Sequence, residues 1–415
     1  MIYDVLIVGG GAAGLCAAVR IKQLNPKFNV LIAERLSRVG KKLITTGNGR
    51  CNITNKYITP DRYHGEKKEF SSFALNNFDT DFTESFFEEI GVLFTYEYDG
   101  KAYPYSLQAS SVVDALRFAA ERFGVEIIND CFVKDYKKEN GKFTVLTSLG
   151  EFITKNIILA GGLFSGGEKL GCDGSLLKLI ISKGYKSVKA TPSIVQLKTP
   201  TEIVRSLKGI KVNAKVKLEC DGKVVRTEDG EVLFCDYGLS GPPVMQLSRE
   251  TARGKGRYML NLDIMPEYSF IQLVEFLNRR KSILKNISLE EFFTGMLNKR
   301  VGQSVLKQCG YKLSEKIEVL TSDGIKQAVS LIKNMRFEII GNTGFVNSQV
   351  TAGGLSTDCF DCETMMSKKE KGIYAIGEIL DIDGDCGGFN LQWAWSSAIC
   401  ASNSILKDFK NDFNK

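Results

Sequence analysis

One stretch restricts the possible folds more than any other: "YDVLIVGGGAAGLCAAVRIKQL", Tyr3 to Leu24. An apolar strand at Val5–Val8 meets a glycine turn and then a helix with Leu15, Ala18, Val19 and Leu24 on one face. Gly9, Gly11 and Gly14 give the spacing G-x-G-x-x-G at that junction. In this setting the first glycine makes the turn, the second lets a pyrophosphate approach the backbone, and the third lets helix and strand pack closely. The helix start also offers unpaired N–H groups to phosphate. The pattern predicts a Rossmann-like α/β domain that binds a dinucleotide.

A second strand, "FNVLIAER", ends at Glu34, where a carboxylate is needed to accept hydrogen bonds from an adenosine ribose. Next comes "GKKLITTGNGRCNITN", Gly40 to Asn55, too polar for a core strand and without helical periodicity. Lys42 and Arg50 offer positive charge to phosphates, and Gly47 and Gly49 permit close approach. Thr46, Asn48 and Asn52 can hydrogen-bond a polyol. The same composition also suits a solvated loop, but in this place the expected object is FAD. Near the other end, "KGIYAIGEILDIDGDCGGFNLQWAWSSAICASNSI" reads as a short strand, an acidic glycine-rich loop and a helix from about Asn390. A helix N-terminus there would point its dipole at the far end of the ligand, and Glu378 would face ribityl hydroxyls.

Four motifs, in order, resemble the bacterial FAD-dependent flavoprotein family that includes BaiN-like bile-acid reductases and aminoacetone oxidases. They are "GGGAAG", "GKKLITTGNGRCNITN", "GEVLFCDYGLSGP" at 230–242, and "VTAGGLS" leading to "GEILDIDGDCGGFNLQWAW". The resemblance implies a glutathione-reductase-type FAD domain split by an insertion, with non-covalent FAD. It carries FAD contacts onto Gly9, Gly11, Ala12, Ala13, Gly14, Glu34, Arg35 and Lys42, then Thr46, Gly47, Asn48, Gly49, Arg50, Cys51 and Asn52. It further implicates Val133, Gly161, Gly162, Gly377, Glu378, Asp381, Gly387, Gly388, Asn390, Leu391 and Gln392. The chain departs from the family pattern at Cys235-Asp236, often Thr-His, and at Cys386 and Phe389, often Thr and Tyr.

Between the ends, residues 66–90 read as helical with an aromatic stripe that suits a core. Strands near 131–136, 142–147 and 151–159 read as a meander. Alternation in "KVNAKVKLEC" and "EVLFCDYG" signals antiparallel strands, and Ile271 to Lys333 reads as several helices. The expected division is an FAD domain at 1–190 and 346–415 around an insertion at 191–345. That insertion is β-barrel-like over about 191–265 and 335–345, and helical over about 266–334.

The remaining chemistry is bounded by what is scarce. His64 is the only histidine, which argues against His-ligated metal sites, and none is expected. Eleven cysteines at irregular spacing suit a reducing, cytoplasmic setting, and Cys359-x-x-Cys362 has no second pair to make a zinc site. No apolar run is long enough for a membrane span. The net charge of +7 comes without a basic block, so no nucleic-acid partner is expected. A second nucleotide fingerprint is absent, which leaves NAD(P)H as a transient reductant. Proton-transfer candidates are Lys101, Tyr103, Tyr105, Asp236 and Tyr237. The leading expectation is an oxidoreductase that reduces a C=C bond conjugated to a ketone in a small molecule. An amine oxidase using dioxygen, and a non-catalytic flavin-bound regulatory or RNA-associated protein, stand as alternatives. Oligomeric state is not legible.

Overall fold

In the computed structural model, which describes residues 1–413, the chain forms two compact units. One is Met1–Pro192 with Phe345–Lys415, and the other is Ser193–Gly344.

The first unit is built on a mixed sheet. Its parallel part sets Glu126–Ile128, Val30–Ala33, Ile2–Val8 and Gly150–Leu159 side by side. Ile373–Ala375 adds parallel to the end of Gly150–Leu159. The first half of Gly150–Leu159 instead pairs antiparallel with Lys142–Thr147, which pairs with Val133–Glu139. One long strand thus joins a parallel sheet to a meander. All four residues of Val30–Ala33 are buried, as expected of strands covered on both faces. The covering elements include the first helix, Ala12–Leu24, and the C-terminal helix, Phe389–Phe413, where Ser402 donates to the Ala17 carbonyl at 3.3 Å. This is a Rossmann-like α/β fold.

The stretch expected to be helical over 66–90 is broken. A 3-10 turn at Lys68–Ser71 leads to Ser72–Asn77, and a second helix, Thr80–Glu89, starts where the Asp79 carboxylate accepts from Phe82 N–H at 3.0 Å. A mid-stretch Asp prefers to cap a helix rather than continue one. The aromatic stripe does pack as core: Phe86 and Phe87 are buried, and Phe87 meets the Trp395 ring edge-on at 5.0 Å.

Among the described residues the second unit holds a seven-stranded antiparallel sheet and four longer helices, Pro242–Arg253, Phe270–Ile283, Lys299–Gln308 and Ser322–Lys333. Its central hairpin, Lys211–Cys220 with Lys223–Phe234, turns on Asp221 and Gly222. Their φ values of 49° and 81° suit the primed turn that matches strand twist. The segment 335–342 pairs with Tyr258–Asp263 at its start and with Leu197–Lys198 at its end. Charge is unevenly divided: residues 193–344 carry 24 basic and 17 acidic side chains, while the rest of the chain carries 31 of each.

Candidate cofactor site

The glycine turn gives each fingerprint glycine a different reason. Gly9 has φ +103°, and a Cβ built there would lie 2.8 Å from the Ala160 carbonyl oxygen. A Cβ on Gly14 would lie 2.0 Å from the Gly9 carbonyl oxygen, so helix and turn touch backbone to backbone. A Cβ on Gly11 would meet nothing within 4 Å. That open space lies at the start of the first helix, whose first i→i−4 bond runs from Leu15 N–H to the Gly11 carbonyl. The N–H groups of Ala12, Ala13 and Gly14 therefore have no acceptor within the helix. Gly161 and Gly162 follow Ala160 at the end of the long strand, with Glu378 Oε2 3.9 Å from a Cβ on Gly162. An open cradle ringed by unpaired N–H donors fits a pyrophosphate.

Glu34 ends the second strand, buried, with Oε2 accepting from Gly10 N–H at 2.7 Å and Oε1 from Leu36 N–H at 2.8 Å. Burial raises its pKa against those two donors. Each oxygen keeps a lone pair, so ribose hydroxyls would stabilise the charged form. Val133 opens the neighbouring meander strand, and Cys131 N–H bonds the Glu34 carbonyl at 2.8 Å. Arg35, expected as a cofactor contact, is committed elsewhere. It pairs with Asp173 at 2.5 Å, reaches Ser175 at 3.2 Å and lies over the Phe132 ring. Burial would raise the Asp173 pKa, but the Arg35 and Ser175 bonds pull it down to about 2.

The polar loop is strained. Gly47, Asn48, Gly49 and Cys51 have φ of 57°, 55°, 81° and 59°, four left-handed residues out of five. Thr46 Oγ1 donates to the Leu43 carbonyl at 2.7 Å, and Asn48 and Gly49 are exposed. Cys51 is fully buried, and burial pushes its thiol up to about 12, so it is no thiolate nucleophile at neutral pH. Arg50 points away from a phosphate role: it bonds Glu97 at 2.8 Å and Tyr103 Oη at 3.3 Å, and stacks 4.4 Å over the Tyr103 ring. Lys42 is not free either. Its ammonium pairs with Glu378 and donates to Ser165 Oγ at 2.6 Å, and Glu378 also accepts from Ser165 and from Thr351 N–H. Burial works against the Lys42 charge, yet Glu378 outweighs it and raises the pKa. Asn52 differs from all of these. It is buried, and its Oδ1 has no hydrogen-bond partner.

The C-terminal loop is mostly self-supporting. Gly377 accepts from Trp393 Nε1 at 3.1 Å, and the buried Asp381 carboxylate accepts from Glu66 N–H at 2.8 Å. Gly387 and Gly388 have φ of 110° and 99°, and Asn55 Nδ2 donates to the Gly387 carbonyl at 2.9 Å. Two expected cofactor contacts are structural instead. Asn390 spends its amide on Gly384 and Asp385, closing the turn before the helix. Gln392 is wholly buried: Nε2 lies within 3.1 Å of Phe78 O, Asp79 O, Thr83 Oγ1 and Ser396 Oγ, and Oε1 accepts from Thr54 Oγ1 at 2.6 Å. No donor remains for a ligand. Leu391, half-buried, sits in the first turn of the same helix.

Among the proton-transfer candidates, Tyr103 is buried, and burial raises its pKa. Its ring lies 3.4 Å from a Cβ built on Gly47. Lys101, paired with Asp99 at 2.5 Å, has Cε 3.2 Å from a Cβ on Gly387. Tyr105 is 68% exposed. Asp236 and Tyr237 belong to the second unit, where Asp236 pairs with Lys208 at 2.7 Å. Ser165, Thr351 and the Asp385 pairs with Arg62 (2.6 Å) and His64 (2.9 Å) escaped the sequence reading. Only the glycines around Ser165 gave a hint. Cys359 ends a 3-10 turn and Cys362 does not open a helix. Among the described residues there is no group of metal-ligating side chains, and no helix is long and apolar enough to cross a membrane.

The chain is 33% identical over 97% of its length to the 3-dehydro-bile acid delta(4,6)-reductase of Clostridium scindens, covering 98% of that protein. It is 29% identical over 97% of its length to the ribosomal RNA dihydrouridine synthase of Escherichia coli, again covering 98%. Among solved structures, the 3-ketosteroid-delta4-(5alpha)-dehydrogenase of Rhodococcus jostii RHA1 superposes with a TM-score of 0.50 at 15% identity, over 97% of this chain and 96% of that one. That likeness speaks to fold. The HI0933-like protein Rossmann domain matches residues 3–404, and the chain belongs to the HI0933-like family, with the fold of FAD-dependent oxidoreductases.

Proposed function

We propose that this protein binds FAD non-covalently and uses it to reduce a carbon–carbon double bond conjugated to a carbonyl group, with NAD(P)H as a transient reductant. The observation that carries the reading is the 33% identity, over nearly the full length, to a bile-acid delta(4,6)-reductase. The open cradle at Gly11 supports the cofactor. Gly9–Gly14 and Glu34 would hold the adenosine side, and the Thr46–Asn52 loop with Gly161, Gly162, Gly387 and Gly388 the flavin side. Bound flavin supplies hydride through N5. The protein supplies orientation and the proton, and Tyr103 Oη is the best-placed donor. Its raised pKa keeps it protonated at neutral pH, while Arg50 fixes the ring. The second unit acts as a small barrel with a helical layer, a reading supported by 335–342 pairing at both ends.

A second substrate reading uses the same chemistry. Uracil contains a C=C bond conjugated to a carbonyl, and one relative is named a ribosomal RNA dihydrouridine synthase. The whole excess positive charge lies in residues 193–344, which favours a polyanion at that unit. Anaerobic mixing with NADH or NADPH tests the core proposal. Flavin bleaching, followed by reoxidation on adding a steroid enone, supports the small-molecule reading. Reoxidation only by uridine-containing RNA moves the substrate to nucleic acid. Bleaching by amines alone points to an oxidase and defeats the reductase proposal.

A further inference from the structure

Asn52 is the buried polar side chain of the strained loop whose acceptor the chain leaves unserved. The residue is only 8% exposed, and its Oδ1 is shut off from solvent with no hydrogen-bond partner among the described residues, beside an Nδ2 that could donate. A buried amide acceptor without a partner is destabilising, because it has given up water and gained nothing in return. Its surroundings are glycine on both sides. A Cβ on Gly388 would lie 3.1 Å from Oδ1, a Cβ on Gly387 3.8 Å from Nδ2, and a Cβ on Gly47 2.9 Å from the Asn52 backbone nitrogen. Directly after Gly388 begins the 25-residue C-terminal helix, whose N-terminus favours partial negative charge.

An amide with an unmet acceptor beside a donor matches a ligand edge that offers N–H beside C=O. The pyrimidine ring of a flavin has such an edge at N3–H and its flanking carbonyls. A ribityl hydroxyl, the partner expected for Asn52 from sequence, would meet one amide atom and leave the other unpaired. We propose that Asn52 reads the flavin imide edge, its Oδ1 accepting from N3–H and its Nδ2 donating to a neighbouring carbonyl. The assignment rests on FAD being the cofactor and adds which face of it the strained loop recognises.

The test uses the purified apoprotein, FAD and 3-methyl-FAD, in which the N3–H is replaced. Fluorescence titration of wild type is expected to give at least tenfold weaker binding for 3-methyl-FAD, about 1.4 kcal/mol. Asn52→Leu should bind FAD at least tenfold more weakly and lose the preference between the two flavins. Its apoprotein should melt no lower than wild type, because an unpaired buried amide has been replaced by an apolar group of similar size. Equal wild-type affinity for both flavins overturns the assignment while leaving FAD as the cofactor. A preference that persists in Asn52→Leu overturns it as well, as does apoprotein melting several degrees lower. Failure of wild type to bind FAD at all overturns both the assignment and the flavin reading. If Asn52→Leu does not fold, the wild-type comparison of the two flavins still decides.

Discussion

Gly11 and Gly14 sit three residues apart in one turn, and the structure gives alanine opposite consequences at the two positions. At Gly14 the new methyl would stand 2.0 Å from the Gly9 carbonyl oxygen, where real Cβ contacts stay beyond about 3.0 Å. Relief needs a backbone shift of roughly 1 Å at the junction of strand and helix, an overpacking cost of about 1–3 kcal/mol. At Gly11 the methyl meets nothing within 4 Å, and φ −80° with ψ −165° is open to alanine. Gly11 is the N-cap, so alanine loses about 0.5–1 kcal/mol there, and reduced unfolded-state entropy returns about 0.4–1 kcal/mol. The apoprotein of Gly11→Ala should therefore match wild type within about 0.5 kcal/mol. Its methyl, however, fills the cradle, and FAD affinity should fall by about 10- to 100-fold, or about 1.4–2.8 kcal/mol. Denaturant melts of both apoproteins and FAD titrations of both variants measure the contrast. Unchanged FAD affinity in Gly11→Ala would refute the cradle, and an unperturbed Gly14→Ala would refute the packing argument.

Three further outcomes are expected. The double variant Cys359→Ser/Cys362→Ser should keep both flavin half-reactions within about threefold, about 0.65 kcal/mol of barrier, by stopped-flow absorbance; a larger loss would give the pair a redox role. Asp173→Asn should lower stability by about 1–2 kcal/mol near neutral pH, since Asp173 ionises at about 2 in the folded chain, below its usual value. Because the folded pKa is depressed, the gap between wild type and variant in melting temperature should be full above about pH 4 and shrink as pH falls toward 2. Gln392→Leu should destabilise the apoprotein by about 2–4 kcal/mol by stranding buried carbonyls and Thr54 Oγ1, and an unchanged melting temperature would return Gln392 to the ligand.

The glycine turn and the carboxylate that ends the second strand were legible because a few adjacent residues encode them. Spacing alone places Gly9, Gly11 and Gly14 at a strand–helix junction, and the packing around each glycine follows locally. What failed to show was side-chain pairing across the chain. Lys42 and Glu378 each read as a ligand contact because each is a charge in a glycine-rich loop, and nothing in sequence says that they meet 336 residues apart. Gln392 misled for the same reason, since Thr54 is 338 residues away. Gly388 shows the converse. In sequence it is only a glycine before a helix and an implied FAD contact, yet φ +99° and the Thr54 carbonyl oxygen 2.4 Å from its Cβ position make glycine a requirement of the fold there.

Those long-range bonds explain how the chain keeps a costly loop in place. Left-handed φ at the non-glycine residues Asn48 and Cys51 is disfavoured, by about 1–3 kcal/mol each, and persists only where the surroundings over-determine it. Here they do. Trp395 Nε1 bonds the Ile53 carbonyl at 3.0 Å, Thr54 bonds Gln392, and Asn55 bonds the Gly387 carbonyl, so three consecutive residues are anchored on the C-terminal helix and its preceding turn. All three anchors lie just past Asn52. The loop's C-terminal end is held by the chain's own bonds, and the buried, unpartnered Asn52 Oδ1 stands at the edge of the fixed segment. A ligand completing it would meet a shape already formed and would not spend binding energy on ordering the loop.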